Sequence, residues 1–527
     1  MGPSNWRLGF ALIFFVLFQH AICARQSTKE AYVTLLYGDE FVLGVRVLGK
    51  SIRDTGSTKE MVVLVSDGVS EYAKKLLQAD GWKVEPITLL ENPNQVRPTR
   101  FWGVYTKLKI FNMTEYKKVV YLDADTIVVK SIEDLFKCGK FCANLKHSER
   151  LNSGVMVLEP SQAVFNDMMS KVKTLPSYTG GDQGFLNSYY EGFANAHVFK
   201  PDVPKEVVES RPVPEMERLS TLYNADVGLY MLANKWMVEE EELCVIHYTL
   251  GPLKPWDWWT SWLLKPVDVW QNVREQLEES LPGTGGGRNP NDELLVKVLF
   301  LLPLFALLFC YYRSFLQTRT FWDHLRHIYY MLRFRGSLVY SAVSSSIVDS
   351  NQQTQVPAFL GGLSVFVCFM AAVVSLAFAV YIIPRQVMPW TGLLLMYEWT
   401  FTIFFILFGC YLHLIYMWGK SQGGSFTSRP NSSDYESGKG HQRHASSCDA
   451  AACYYGLGMA FLAVAAPSLP CFLGITALFV RLGLMFVGGL ILASFMTYAS
   501  EHLGIRSFLR GLEERDLPRT KSICFFC

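Results

Sequence analysis

The rhythm of apolar positions along this chain changes near residue 294. Before that point, short apolar runs alternate with polar stretches. Ala31-Tyr32-Val33-Thr34-Leu35-Leu36-Tyr37 reads as a strand, and Gly38-Asp39 opens a turn before a helical stretch rich in Val, Leu and Gly. Met61–Val65 is a second strand, followed by Ser66-Asp67-Gly68 and another helical stretch. Lys118-Val119-Val120-Tyr121-Leu122 is a third. Strands alternating with helices predict an α/β domain on a mostly parallel sheet. Ligands bind such sheets beyond the carboxyl ends of the strands. Asp123-Ala124-Asp125, directly behind the third run, therefore lies where chemistry is expected.

From residue 294 onward the pattern is one of long apolar runs. A membrane span needs roughly 20 apolar residues. Five segments qualify: 294–312, 357–383, 388–418, 453–474 and 475–500. Arg313, Arg319, Arg326, Arg333 and Arg335 follow the first. Lys420, Arg429, Lys439 and Arg443 follow the third, and Arg506, Arg510, Arg515, Arg519 and Lys521 fill the tail. By the positive-inside rule these three segments (313–356, 419–452 and 501–527) face the cytosol, which places the domain at 27–275 in a lumen. At the N-terminus, residues 1–24 carry a short apolar run from Leu8 to Phe18 and then small residues, as a cleaved signal peptide or an uncleaved anchor does. Residues 276–293, with Gly283, Gly285, Gly286 and Gly287, read as a flexible linker.

Composition adds exclusions. Lys and Arg number 49 against 47 Asp and Glu, a net charge of +2, so no nucleic-acid footprint is expected. Only Cys138, Cys142 and Cys244 of the twelve cysteines fall in the mature lumenal domain, too few for a disulfide scaffold. Cys138 and Cys142 are either a local bridge or two packed thiols. Asn112-Met113-Thr114 is a glycosylation sequon. Trp256, Trp258, Trp259, Trp262 and Trp270 crowd the end of the domain; they either press against a membrane surface or pack the core.

On an extended segment alternate side chains point the same way, so Asp123 and Asp125 can face one hard cation. Such an ion stabilises a departing diphosphate. His247 and Lys254, with Gly251 before and Pro255-Trp256 after, can complete that site. The motifs around these residues resemble glycosyltransferase family 8, the glycogenin-like family, over roughly residues 30–260. They are Arg97-Pro98, Thr106-Lys107-Leu108, Tyr121–Thr126, Ile132–Phe136, Asn152-Ser153-Gly154-Val155 and Gly180–Asn187, with Val33-Thr34-Leu35 at the start. The resemblance implies a GT-A nucleotide-sugar-binding fold with a Rossmann-like mixed sheet, followed here by an α-helical polytopic membrane domain. It implies retention of configuration and Mn2+, with Mg2+ as the alternative, held by Asp123, Asp125 and His247. Lys254 falls at the diphosphate, and Leu35, Tyr37 and Gly38 at the uracil. Lys107 falls beside the donor phosphates and sugar. Asn152, Asp182 and Gln183 surround the reacting centre, and Asp182, Gln183 and Lys107 are the catalytic candidates. Ala124, Gly154 and Gly251 complete the substrate-binding set. Two positions depart from the family pattern: one extra residue stands between His247 and Gly251, and Thr179 replaces an aspartate.

The whole chain resembles a plant group of that family which joins such a domain to several C-terminal spans. That resemblance implies transfer of glucuronic acid from UDP-glucuronate to the sphingolipid inositol phosphorylceramide, in the Golgi membrane. A cell-wall polysaccharide such as xylan is the alternative acceptor. A transporter or receptor with a nucleotide-sugar-binding domain is the alternative class.

Overall fold

A computed structural model of the protein describes residues 29–93, 103–146, 149–203, 212–280, 290–317, 356–422 and 444–513. The N-terminal segment, the glycine-rich stretch 281–289, most of the three basic segments and Arg97, Pro98 and Arg100 lie outside the described residues. The chain divides into two compact units, Met1–Pro290 and Asn291–Cys527.

The first unit is built on an eight-stranded mixed sheet ordered β3-β2-β1-β4-β7-β6-β9-β8. These strands are β1 (Glu30–Leu36), β2 (Glu60–Val65), β3 (Lys83–Pro86), β4 (Lys118–Leu122), β6 (Phe141–Leu145), β7 (Leu151–Leu158), β8 (His197–Val198) and β9 (Met216–Leu219). Strands β1 to β4 pair in parallel, whereas β7 runs antiparallel to both β4 and β6. Strand β1 is buried along all but its first residue, as a central parallel strand covered on both faces must be. Chain order reverses between β1 and β4, which makes their carboxyl ends the switch point where such sheets bind ligands.

Helix α1 (Val42–Asp54) covers the sheet with Val42, Val45, Leu48 and Ile52. Arg46 on the same helix is fully buried, and its guanidinium makes a two-pronged pair with Asp80, at 2.5 and 3.1 Å. Asp80 ends helix α2 (Glu71–Ala79), so the pair locks two helices together with charge-assisted bonds. Helices α3 (Gln162–Lys171) and α5 (Val227–Ala233) are capped by the Ser161 and Asp226 side chains. Cys138 and Cys142 are joined as a disulfide. Asn112 is exposed at the end of the 3-10 stretch Val104–Asn112.

The tryptophan cluster belongs largely to the core. Trp256, Trp258 and Trp270 are 4%, 3% and 0% exposed, which removes those three from any membrane-facing patch. Helix α6 (Val267–Ser280) runs through the first residues of the expected linker.

The second unit begins with the apolar helix α7 (Pro290–Gln317). Four further helices are long and apolar enough to cross a membrane: α8 (Leu360–Ile382), α9 (Pro389–Gln422), α10 (His444–Phe472) and α11 (Leu478–Glu513). Helix α11 continues well past residue 500, and α10 begins before 453. The described apolar part of α7, Leu294–Phe309, is shorter than a full span. Small residues let these helices touch, as membrane helices require. A Cβ on Gly419 would lie 2.2 Å from the Phe508 carbonyl oxygen, and one on Gly511 would lie 2.1 Å from that of Tyr416. Phe366, Phe461 and Phe486 are exposed, an apolar surface of the kind that lipid covers.

Candidate active site

A second, three-stranded sheet assembles the site: β10 (Ala225–Asp226), β11 (Val245–His247) and β5 (Thr126–Val128). Strand β11 runs antiparallel to β5 and sets His247 opposite Thr126. The Tyr248 amide donates to the Asp125 carbonyl at 2.9 Å, and the Asp123 amide donates to the Gly154 carbonyl at 2.8 Å. The Asp123-Ala124-Asp125 segment is thus held by backbone bonds from both sides. Helix α1 passes directly behind it: a Cβ on Gly44 would sit 2.5 Å from the Ala124 carbonyl oxygen and 2.7 Å from the Trp256 ring. Only glycine fits there, and Trp256 supports the acidic segment.

One oxygen of each aspartate is already engaged. Asp123 Oδ1 accepts from the Tyr121 hydroxyl at 2.7 Å and from Lys107 Nζ at 2.9 Å. Asp125 Oδ2 accepts from Lys254 Nζ at 2.5 Å. The remaining oxygens turn toward the imidazole. His247 Nε2 lies 3.4 Å from Asp125 Oδ1 and 4.0 Å from Asp123 Oδ2. Asp123, Asp125 and His247 each offer one ligand atom, and these lie within 4.8 Å of one another. Two carboxylate oxygens and one nitrogen are a donor set for a hard divalent cation.

The imidazole's tautomer can be read from its neighbours. The Gly154 amide donates to Asn152 Oδ1 at 3.0 Å, which fixes that side chain's orientation. Asn152 Oδ1 therefore accepts from Asn224 Nδ2 at 2.9 Å, leaving Asn224 Oδ1 to face His247 Nδ1, also at 2.9 Å. An amide oxygen can only accept, so Nδ1 carries a proton, and Nε2 is the nitrogen turned toward the acids. Gly154 also makes room for the ring: a Cβ there would lie 2.1 Å from His247 Cε1.

Burial works against the charge of Asp125, but the His247 imidazole and the Lys254 ammonium outweigh it and hold the carboxyl below the usual range. Burial likewise opposes the charge of Lys107, yet Asp123 and Asp182 raise its pKa above the ordinary lysine value. Lys107 Nζ lies 3.2 Å from Asp182 Oδ2, which also accepts from the Ser153 hydroxyl at 2.9 Å. Asp182 stands in the first turn of helix α4 (Asp182–Tyr189). The capping there is done by Thr179, whose hydroxyl oxygen accepts from the Gly181 and Gly184 amides at 3.2 and 3.0 Å. The departure from the family's aspartate thus has a structural role, and Asp182 is left to face the site. Gln183 Oε1 accepts from Asn152 Nδ2 at 3.0 Å, and Gln183 Nε2 donates to the Tyr178 hydroxyl at the same distance.

The remaining sequence-predicted residues fall around this centre. Leu35 is the last but one residue of β1, in the core, and the Tyr37 carbonyl just beyond the strand accepts from Ser66 Oγ at 2.7 Å. Burial, followed by the charges of Asp182 and Asp123, pushes the Tyr37 phenol well above its usual pKa. Gly38 is extended, and Gly251 lies in the bend before Lys254. The extra residue after His247 is absorbed by a tight turn in which the Thr249 amide donates to the His247 carbonyl at 3.0 Å. Lys254 therefore still reaches the acids.

A model of glycosyl transferase family 8 matches residues 32–140. Inositol phosphorylceramide glucuronosyltransferase 1 of Arabidopsis thaliana is 66% identical, over 99% of this chain and 99% of its own length. The chain belongs to glycosyltransferase family 8. UDP-glucuronate:xylan alpha-glucuronosyltransferase 1 of the same plant is 35% identical over 31% of this chain and 25% of its own. The galactosyltransferase LgtC, solved with donor and acceptor sugar analogues, is 18% identical with a TM-score of 0.34, over 46% of this chain and 94% of its own. As a member of this family the protein is a glycosyltransferase, and its acids and histidine match the divalent-metal dependence common to GT-A enzymes.

Sequence reasoning missed four contributors: Tyr121, Ser153, Asn224 and Tyr178. Tyr121 was visible as the residue two before Asp123 on the same face of β4. Asn224 was not, because its role arises only from a register between short strands far apart in sequence.

Proposed function

We propose that this chain moves glucuronic acid from UDP-glucuronate to inositol phosphorylceramide with retention of configuration. In this reading Mn2+ sits between Asp123, Asp125 and His247. The enzyme works in the Golgi membrane, with its first unit lumenal and its C-terminus cytosolic. The observation that carries it is the identity of 66% running end to end, through the helical unit as well as the globular one. The xylan-directed relative named above aligns with under a third of the chain, which leaves the apolar helices unaccounted for.

A divalent ion bound there supplies positive charge to the departing diphosphate. Asp123 Oδ2, Asp125 Oδ1 and His247 Nε2 would hold it, and Lys107 and Lys254 flank them as fixed ammonium groups. The bond from the sugar's C1 to the diphosphate breaks, and UDP leaves with the electron pair. A bond from C1 to an inositol oxygen forms on the same face as that hydroxyl gives up its proton to the departing diphosphate oxygen. Asp182, Gln183 and Asn152 orient the sugar through this exchange.

The donor's carboxylate needs a cation that is not already neutralised. Lys107 is held by two acids and Lys146 by Asp226 at 3.2 Å, whereas Lys109 has no acid partner among the described residues and is turned onto the Thr88 carbonyl at 2.6 Å. Arg150 is exposed and makes no ion pair among the described residues. Its guanidinium stacks 4.0 Å from the ring centre of Tyr178, the residue that accepts from Gln183. We assign the carboxylate to Arg150. Arg150→Gln is expected to raise the KM for UDP-glucuronate by roughly 10- to 100-fold, the worth of one charge-assisted bond, with a smaller change for UDP-glucose.

The decisive experiment incubates the detergent-solubilised full chain with Mn2+, inositol phosphorylceramide and either UDP-glucuronate, UDP-glucose or UDP-galactose. A glucuronosylated lipid from UDP-glucuronate alone is the expected result. Sugar-nucleotide hydrolysis without any lipid product would move the acceptor to a glycan.

A further inference from the structure

The helical unit has a half-open pocket of about 320 Å3 between α8, α9, α10 and α11. Its lining includes Leu376, Tyr397, Thr400, Phe404, Ala463 and Met496. Apart from the hydroxyls of Tyr397 and Thr400, the lining side chains are hydrocarbon, aromatic ring or thioether. Such a cavity has no charge to hold an ion or a phosphate, and apolar cavities stay dry. It has room for about ten groups the size of a water or a methylene. That suits part of one hydrocarbon chain.

Thr400 departs from simple apolar packing. Serine and threonine in a membrane helix ordinarily donate to the carbonyl one turn back. Ser364, Ser375, Ser468, Ser494 and Thr497 all do so in these helices, at 2.6 to 2.9 Å. Thr400 does not: its hydroxyl is buried and has no partner among the described residues. Beside it, the Tyr397 hydroxyl reaches the Ala463 carbonyl only at 3.5 Å, the outer limit of a hydrogen bond. A buried hydroxyl without a partner costs about 1–3 kcal/mol, which a ligand with a hydrogen-bonding group would remove.

The depth of Thr400 narrows the ligand. Ser364 Oγ meets the Tyr411 hydroxyl at 2.8 Å across the antiparallel α8–α9 pair. Thr400, three turns earlier on α9, therefore lies level with the stretch near Ser375, about 10 Å from the end of α8 at Ile382. Trp399 Nε1 donates to the Leu299 carbonyl at 3.1 Å, which ties α7 to α9 beside this position. A group bonded to Thr400 sits a short way below the membrane surface, with a chain running on into the cavity.

We propose that this cavity is a binding slot for one chain of a ceramide-type lipid, with Thr400 bonding an amide or hydroxyl near the head of that chain. The choice of lipid rests on the acceptor proposed above; the slot itself rests on the cavity and the unpartnered hydroxyl.

The test uses the full chain in lipid nanodiscs, with a ceramide-type inositol phospholipid carrying a photoreactive group on its acyl chain. Crosslinks are expected on α9 and α10, and Ala463→Phe, which fills the slot, is expected to reduce them roughly tenfold. Thr400→Val keeps the volume and removes only the hydroxyl, so it is expected to raise the KM for the long-chain lipid relative to a short-chain analogue by roughly 3- to 10-fold. Crosslinks that survive Ala463→Phe, or equal labelling by a phosphatidylcholine probe, would overturn the proposal. Crosslinks lost in Ala463→Phe while the unsubstituted protein glucuronosylates no lipid would uphold the slot and sink only the proposed acceptor.

Discussion

The two units bury polar groups in opposite ways. In the globular unit charge is buried against charge: Arg46 on Asp80, Lys107 on Asp123 and Asp182, Lys254 on Asp125, and Lys146 on Asp226. In the helical unit the hydroxyls of Ser364 and Ser375 fold back onto their own helix, and glycines such as Gly419 and Gly511 let backbones meet. Removing two charges from water costs more than their attraction often returns, so paired charges are a poor way to gain stability. The crowding of the Lys107 and Lys254 pairs behind β4 marks the chemistry, whereas the Arg46–Asp80 pair ties two helices together. The helical unit supplies shape, and the unpartnered Thr400 hydroxyl stands out because its neighbours are satisfied.

Asp125→Asn tests this comparison most severely. It removes a charge from the proposed metal site and leaves Lys254 and His247 facing each other without their acid. Transfer is expected to fall by about 10³-fold or more, since charge stabilisation of the leaving group usually contributes more to the rate than any other effect. The Mn2+-induced rise in melting temperature of the globular unit should vanish with it. Retained transfer at normal protein levels would mean that the charged cluster is structural.

Gly154→Ala should come next. The new methyl group would occupy the space of the imidazole edge, and His247 must move or the β7 backbone must give. Asn224→Ala leaves the ring in place but frees its tautomer. Groups that orient a metal-bound histidine are worth about 10- to 100-fold in metal affinity. Mn2+ titration should show losses of that order in both variants, with Gly154→Ala the larger. An unaltered Mn2+ affinity in Asn224→Ala would mean that Asn224 does not set the tautomer that binds the ion.

Much of this was legible beforehand for a specific reason. The acids, the histidine and the lysine lie in short motifs whose spacing survives in the fold, so Asp123, Asp125, His247 and Lys254 converge as the motifs imply. Hydropathy likewise marked the four long helices. What was not legible came from pairings distant in sequence. The register of β11 on β5 created the role of Asn224, and the approach of α1 to Ala124 drew Trp256 into the core. The tryptophans were ambiguous because an indole suits a buried floor as well as an interface. The cavity in the helical unit could not be read at all, since it depends on how four apolar faces fail to fill one space.

The smallest effect separates the units most cleanly. Gly419→Ala puts a methyl group 2.2 Å from a backbone oxygen of α11, a contact that no side-chain rotation relieves. Overpacking of this kind costs about 1–3 kcal/mol. A lowered melting temperature for the helical unit is expected, with Mn2+ affinity and donor hydrolysis left as they were, because the paired charges that govern both lie in the other unit. A parallel loss of Mn2+ affinity would mean that helix packing and metal binding are coupled, and the division of labour drawn between the two regions would have to be abandoned.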